Sequence, residues 1–451
     1  MTANSQPVIL LEPHPTARSM AVAASALVAG DLVHAEPVLA SALLQSEKGR
    51  RCDLCHRLSS DRVKLRRCTG CTSYWYCGAE CQRKQWNSQH KRLCKRYPRY
   101  IASEEYQALS HHDQVDAILL SHLIAEKFID DGASVSAEGR STMSTLMELA
   151  EARSAPTTIP PLCNAKVPSN VLSTAHAIYS RFGNNNFVMH SHLNSYAHGI
   201  FPFASRSFNH SCVPNAVAKY IITPCHPVRM EIIALRDIAR GDEITIPYLD
   251  PALPHNTRQE ALFHNYGFIC NCDLCAYTGT FDSPALPTRG SDELAEIEAE
   301  LRRFALGSSD RLDLQMMASD RPSSVKIPRR FAPLLHETYL PDTSELFSKA
   351  SHEGDYLNAL SAGLTLLAFY VVVYPTNFPQ IGMHALELSK TAWNAIATNA
   401  HILGSDARSL EDAMQSYLAA ASRILNNFGP EGDEAGPLEE IRVLQELSRT
   451  W

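Results

Sequence analysis

The sequence predicts a multidomain α+β protein, on three observations. Short apolar runs separated by turn formers fill residues 7–45 and about 183–250, the pattern of strands. A basic, cysteine-rich segment over 50–97 lies between them. From 292 onward the pattern is helical and acidic, with 24 Asp/Glu against 14 Lys/Arg across 281–451. With 451 residues and 45% hydrophobic content the chain can form two or three packed domains. A charged content of 20% excludes collagen-like and globally disordered classes.

Charge is unevenly spread. The net charge is -7, yet residues 47–100 hold 15 Lys/Arg against 4 Asp/Glu, which leaves the rest of the chain near -18. A basic island on an acidic chain marks a separate module with its own partner. The opening MTANSQPVILLEPHP lacks the basic start and long apolar core of a signal peptide. A reducing compartment, cytoplasm or nucleus, is therefore expected, where closely spaced cysteines hold zinc rather than disulfides. The most apolar run, Leu364 to Tyr374, is about half the length that spans a bilayer, so no membrane partner is expected.

In order, residues 7–49 read as strands, with Ala29-Gly30-Asp31 as the turn of a hairpin. The zinc module fills 50–97, and a helical insert and connector fill 98–178. The insert is helical from Glu104 to about Arg153, and the connector at 154–170 carries Pro156, Pro160, Pro161 and Pro168. A strand-rich core over 179–250 and a second cysteine segment over 251–278 follow. A Pro/Gly/Ser linker over 278–291 leads to the helical domain, 292–451. There Gly354-Asp355-Tyr356 followed by Ala359-Leu360 looks like a helical-hairpin repeat, without a clean 34-residue period.

The first cysteine pattern is Cys52-x2-Cys55-x12-Cys68-x2-Cys71-x5-Cys77-x3-Cys81-x8-His90-x3-Cys94, eight ligands for two tetrahedral sites. Each x2 pair places two thiolates on one ion, and each x3 pair puts two ligands on one helical face. Interleaving assigns Cys52, Cys55, Cys77 and Cys81 to one zinc, and Cys68, Cys71, His90 and Cys94 to the other. A stretch this short builds little core, so zinc binding supplies its folding energy, roughly 10–16 kcal/mol. Separately, Cys270-x-Cys272-x2-Cys275 supplies three ligands and needs a fourth from afar.

Tyr74-Trp75-Tyr76-Cys77-Gly78-Ala79-Glu80-Cys81-Gln82-Arg83-Lys84-Gln85-Trp86 resembles the core of a MYND zinc finger, a family that mostly binds proline-containing peptides. Trp75 and Trp86 either line an aromatic groove or pack on the zinc core. Three further blocks resemble the core motifs of SET-domain protein lysine methyltransferases: Ser207-Phe208-Asn209-His210-Ser211-Cys212-Val213-Pro214-Asn215, Arg240-Gly241-Asp242-Glu243-Ile244-Thr245-Ile246-Pro247-Tyr248, and Asn265-Tyr266-Gly267-Phe268-Ile269-Cys270. Together the segments resemble a SET-and-MYND (SMYD-type) methyltransferase, most like the divergent fungal members. Tyr374-Pro375-Thr376-Asn377-Phe378-Pro379 is similar to a stretch in that family's C-terminal helices.

The resemblance implies a split SET fold with a pseudoknot: N-terminal strands at 7–49, an inserted MYND finger, a SET core at 179–250, a post-SET zinc segment at 251–278, and a tetratricopeptide-like C-terminal bundle. It implies that Cys212 joins Cys270, Cys272 and Cys275 around a third zinc. Cys163 and Cys225 remain as ordinary free thiols. The cofactor it implies is S-adenosylmethionine, held by Arg18, Asn209, His210 and Phe268, with Tyr248 and Tyr266 as catalytic tyrosines. The substrate it implies is a lysine side chain of a histone or other protein. Two positions depart from the family pattern: Ala17-Arg18-Ser19 stands where Gly-x-Gly is usual, crowding a close ligand with Cβ atoms, and Ser191 stands where some relatives carry a cofactor-side asparagine.

Methyl transfer needs a neutral amine. Neutralising lysine near pH 7.4 costs about 4 kcal/mol in water, and a narrow apolar channel favours the neutral form. Tyrosine suits such a channel, because its hydroxyl orients the amine and its high pKa keeps it uncharged. Two alternatives stand beside the enzyme: a catalytically weak or inactive scaffold that binds protein partners, and a regulator that binds DNA through residues 50–99. The second predicts steep salt dependence. A monomer is the default expectation.

Overall fold

Strands that precede the cysteine-rich segment pair with strands that follow it. The structure is a computed structural model that describes residues 7–17, 19–128, 137–151, 158–163, 169–281, 285–307, 327–403, 406–433 and 436–449. Strands β1 (Ile9–Pro13) and β2 (Ser19–Ala23) form an antiparallel hairpin. Strand β3 (Leu32–Pro37) pairs with β11 (Arg229–Ala234), whose other edge pairs with β10 (Ala216–Ile221). Strand β4 (Ala40–Leu43) pairs with β8 (Asn194–Ile200), which pairs with β7 (Asn186–Ser191). Central position explains composition: β11 is buried along Met230–Ala234 and is apolar there except for Glu231, whose carboxylate pairs with Lys219 and Arg229. Val33, Leu43, Met189, Tyr196, Phe201, Phe208, Tyr220, Ile232, Ile244 and Ile246 share one core.

The turn at Ala29-Gly30-Asp31 forms, since Asp31 Oδ2 accepts the Val28 N–H at 2.8 Å. It does not close the hairpin read from the sequence. Leu27 bridges Ile238, and β3 continues onto β11. The apolar strand available after folding outcompetes the local partner.

Between β4 and β7 lie the zinc module and the helical insert. In the module, β5 (Arg66–Arg67) pairs with β6 (Trp75–Tyr76) ahead of the helix Ala79–Gln85, which runs on through a π-helical turn, Trp86–His90, to Lys91–Leu93. Cys77 therefore sits just before the helix rather than on it, and Cys81 in its first turns. The insert is not one helix. Ser110 stops the run after Glu104–Gln107 and caps His111–Lys127 by accepting the Asp113 N–H, while its hydroxyl donates to the Asp113 carboxylate. The helices Ala137–Met147 and Ser169–Tyr179 complete it. Of the connector 154–170, only 158–163 and 169–170 are described.

His122 joins insert, module and sheet. Its Nδ1–H donates to the Ser41 carbonyl at 2.8 Å, and Nε2 accepts the Tyr74 hydroxyl at 2.6 Å. Burial, with the Lys48 charge adding to it, lowers its pKa to about 3. The unfolded chain protonates this ring near its ordinary pKa of about 6.5, so its contribution is whole above that pH and is lost as pH falls toward the folded value. Urea unfolding at about pH 7.5 and about pH 5.5 is expected to show a stability loss that shrinks in His122→Asn. An equal loss in the variant would contradict the role of His122.

The C-terminal region is helical: Asp292–Leu306, Tyr339–Glu353, Tyr356–Val373, Pro379–Leu403, Asp406–Phe428 and Pro437–Arg449. Gly354 ends one helix in the left-handed region (φ 80°), and Asp355 caps the next by accepting the Asn358 N–H. Tyr356–Val373, longer than the apolar run read from the sequence, could cross a membrane by length and composition alone. Here Leu366, Leu367, Ala368 and Phe369 are buried among neighbouring helices, as in a core helix. Asn377 ties this region to the sheet, donating to the Leu235 carbonyl at 2.8 Å while accepting from Arg423 at 3.0 Å.

Candidate active site and metal centres

Strand β9 (Asn209–His210) lies parallel to β12 (Thr245–Ile246), in register Thr245↔Asn209 and Ile246↔His210. The pairing carries Tyr248 to His210. The Tyr248 N–H donates to His210 Nδ1 at 3.0 Å, which makes Nδ1 the acceptor and leaves the ring proton on Nε2. That nitrogen faces Cys212 Sγ at 3.2 Å. The Tyr248 hydroxyl donates to the Phe208 carbonyl at 2.8 Å.

A third segment closes the group. The π-helical turn Leu262–Tyr266 ends at Gly267 with φ 79°, a left-handed conformation that glycine adopts without a Cβ clash. The reversal sets Tyr266 on Tyr248, ring centroids 4.8 Å apart, and Phe268 6.2 Å from His210 and 6.4 Å from Tyr266. Tyr248 and His210 are 5.4 Å apart. All four rings are half-buried, forming a continuous wall that stays partly open. Burial raises the pKa of both tyrosines, and for Tyr248 the neighbours Tyr266 and Glu243 add to it, so both phenols are neutral.

The polar rim joins Asn209 to Glu243 and Asn215, which the motifs contain but to which sequence reasoning gave no role. Asn209 Nδ2 donates to Glu243 Oε1 at 2.8 Å and to the Ser19 carbonyl at 3.1 Å. Asn215 donates to the Glu243 carbonyl and accepts from the Thr245 N–H, both at 2.8 Å, which holds β12 against β9. The turn before Ser19 lacks glycine and is closed instead by His14, whose Nδ1 accepts the Thr16 and Ala17 N–H groups at 3.1 and 2.8 Å. Arg18 lies outside the described residues. Asn209, His210, Tyr248, Tyr266 and Phe268 are thus brought together. Ser191, read from the sequence as a cofactor-side position, donates its hydroxyl to Asp433 in the C-terminal region at 2.7 Å.

Three sets bring four ligand atoms within 4.8 Å of one another: Cys52, Cys55, Cys77 and Cys81; Cys68, Cys71, His90 and Cys94; and Cys212, Cys270, Cys272 and Cys275. Tetrahedral zinc with bonds of about 2.3 Å spaces its sulfurs about 3.8 Å apart. The separations fit: Cys55–Cys77 3.6 Å, Cys55–Cys81 3.8 Å, Cys68–Cys94 3.7 Å, Cys71–His90 3.6 Å and Cys212–Cys275 3.5 Å. These clusters have the chemistry and spacing of zinc binding. Arg258, buried and absent from the sequence reading, lies 3.8 Å from Cys275 Sγ. Gln259 clamps the Cys270 backbone through its N–H (2.9 Å) and carbonyl (2.8 Å).

Gly70, inside the second x2 pair, has no room for a side chain. A Cβ there would lie 2.8 Å from Cys94 Sγ. Gly70→Ala is expected to release zinc to a chelator at least about tenfold faster than wild type. An unchanged rate would contradict that packing.

Of the two other thiols, Cys163 is buried, which pushes its pKa up to about 12. Cys225 adjoins the first set, 3.7 Å from Cys81 Sγ. Trp75 packs on Gly49, whereas Trp86 is exposed, its ring 5.8 Å from His90. The module is tied to the C-terminal region by Arg51, which pairs with Glu47 at 3.0 Å and Asp433 at 2.8 Å.

Comparison with known proteins agrees with this geometry. Residues 52–94 match the family model of the MYND finger, a protein-interaction module. The chain is 24% identical over 395 residues to the histone-lysine N-methyltransferase ASHR1 of Arabidopsis thaliana, covering 76% of this chain and 78% of that protein. It is 25% identical over 412 residues to the N-lysine methyltransferase SMYD2-B of Danio rerio, covering 84% and 86%. It is 26% identical over 292 residues to the histone-lysine N-methyltransferase SMYD3 of Homo sapiens, covering 61% and 62%.

Proposed function

We propose that this chain transfers a methyl group from S-adenosylmethionine to the side-chain amine of a lysine in a protein substrate. The observation that carries the reading is the meeting of Asn209-His210, Tyr248, Tyr266 and Phe268 from three separated segments. Relatives named lysine methyltransferases along most of the chain support it. We read the strand region as a split SET fold, with the parallel β9–β12 pair as the pseudoknot, and the three cysteine sets as three zinc sites.

The residues fit the cofactor. A half-open wall of aromatic rings accepts a flat adenine and a sulfonium cation, and Asn209 adds a polar rim. Asn209, His210 and Phe268 would hold S-adenosylmethionine, which supplies an electrophilic methyl group when bound. Tyr248 and Tyr266 wall the lysine channel. Their rings exclude water and disfavour a proton on the lysine Nζ, offsetting part of the roughly 4 kcal/mol that neutralisation costs near pH 7.4. Because burial keeps both hydroxyls protonated, they orient the amine without adding a negative charge that would hold it as ammonium. Alignment of amine and methyl is then the main source of rate.

The acidic C-terminal region suits a basic substrate segment such as a histone tail, and the finger offers a surface for proline-containing peptides. Calorimetry with S-adenosylmethionine tests the reading: saturable binding that is lost in His210→Ala is expected. No binding at millimolar cofactor would overturn it in favour of a scaffold.

A further inference from the structure

A side-chain cluster outside the aromatic site and the cysteine sets has the make-up of a metal site. The helix His111–Lys127 presents His112 and Asp116 one turn apart, and β8 brings His198 to the same carboxylate. Asp116 Oδ1 accepts His198 Nδ1–H and Asn186 Nδ2–H, each at 2.8 Å. Its other oxygen, Oδ2, lies 3.5 Å from His112 Nε2. The two imidazole centroids are 4.7 Å apart, and one ligand atom from each of the three residues falls within 4.8 Å of the others. Asp116 and His198 are buried, whereas His112 is exposed and opens the group to solvent.

A buried Asp–His pair satisfies itself by hydrogen bonding and needs no third residue. What such a pair leaves unexplained is His112, an exposed ring whose Nε2 lies 3.5 Å from the second oxygen of a buried carboxylate. Two imidazoles with one carboxylate form a nitrogen-rich donor set that suits first-row transition ions better than calcium or magnesium, which take oxygen. An ion with bonds of about 2.0–2.2 Å holds neighbouring ligand atoms about 2.9 Å apart at right angles and about 3.4 Å apart at tetrahedral angles. Each imidazole stands near such a distance from one oxygen of the carboxylate, His198 Nδ1 at 2.8 Å from Oδ1 and His112 Nε2 at 3.5 Å from Oδ2. Asn186 then acts as the outer partner that orients the ligating carboxylate.

We propose that His112, Asp116 and His198 bind a divalent first-row transition-metal ion, with water completing the coordination on the solvent side. In the metal-bound form the ion replaces the hydrogen bond between His198 and Asp116.

The test uses the untagged full chain with its cysteine sets loaded with zinc, titrated with Co²⁺ and followed by calorimetry and visible absorption. Expected is uptake of a single equivalent, with weak visible bands and no thiolate charge-transfer band. His112→Ala, an exposed change, abolishes it, as does the shape-preserving His198→Gln. Asn186→Leu weakens it about 10–100-fold. The proposal is overturned by no uptake, by uptake that carries thiolate charge transfer, or by uptake that survives His112→Ala.

Discussion

Tyr248→Phe is expected to lower the rate of methyl transfer about 100-fold while cofactor affinity changes little. The substitution removes one oxygen and keeps the ring against Tyr266 and His210. The lost hydroxyl is anchored on the Phe208 carbonyl, one residue before the Asn209-His210 pair. It therefore has a fixed direction from which to hold an incoming amine. Stability is expected to fall by only about 1 kcal/mol, the net value of one hydrogen bond. Tyr266→Phe is expected to cost less, because among the described residues no hydrogen bond fixes the direction of its hydroxyl as the Phe208 carbonyl fixes that of Tyr248. Single-turnover rates with labelled cofactor, beside denaturant titrations, separate the two effects. A Tyr248→Phe protein with wild-type turnover would remove this residue from the chemistry.

Cys272→Ser is expected to abolish cofactor binding without touching any ring of the site. Tyr266, Phe268 and the ligands Cys270, Cys272 and Cys275 follow one another along a single short segment. The position of Phe268 thus depends on the anchor just beyond it. The same cluster reaches the other side of the site through Cys212, which faces His210 Nε2. Loss of one ligand releases both supports. Structural zinc in small modules contributes roughly 10–16 kcal/mol, comparable with the whole stability of a domain, about 5–15 kcal/mol. Arg258, buried beside Cys275, would then face a sulfur no longer held in place by the cluster. Calorimetry with S-adenosylmethionine and a zinc assay read both consequences. Undiminished binding in the variant would show that the clamp does not position Phe268.

Features carried by local spacing were legible in the sequence. Thiols two residues apart in basic surroundings point to metal whatever the rest of the chain does, and residues 52–94 match a MYND finger. The helical character of the C-terminal region was equally local, down to the Gly354-Asp355 break. Pairings between particular distant strands were not legible in local spacing; only the motif resemblance joined residues 7–49 to 179–250. The turn at Asp31 looked like a hairpin because its true partner, β11, lies far along the chain. The bonds from Asn209 to Ser19 and Glu243, and the contact of Arg258 with Cys275, join residues whose neighbourhood only the topology creates. The approach of His198 to Asp116 is of the same kind: neither residue stands in a motif, and the i,i+4 pair on the helix lacks meaning until β8 lies beside it.

The most direct test of the central claim is incubation of the chain with methyl-labelled S-adenosylmethionine and a whole-protein extract, followed by mass spectrometry of the labelled peptides. The account predicts label on lysine Nζ with the wild-type protein and none with a Tyr248→Phe, Tyr266→Phe double variant that still binds the cofactor. Label on other side chains, or lysine label undiminished in the double variant, would contradict it.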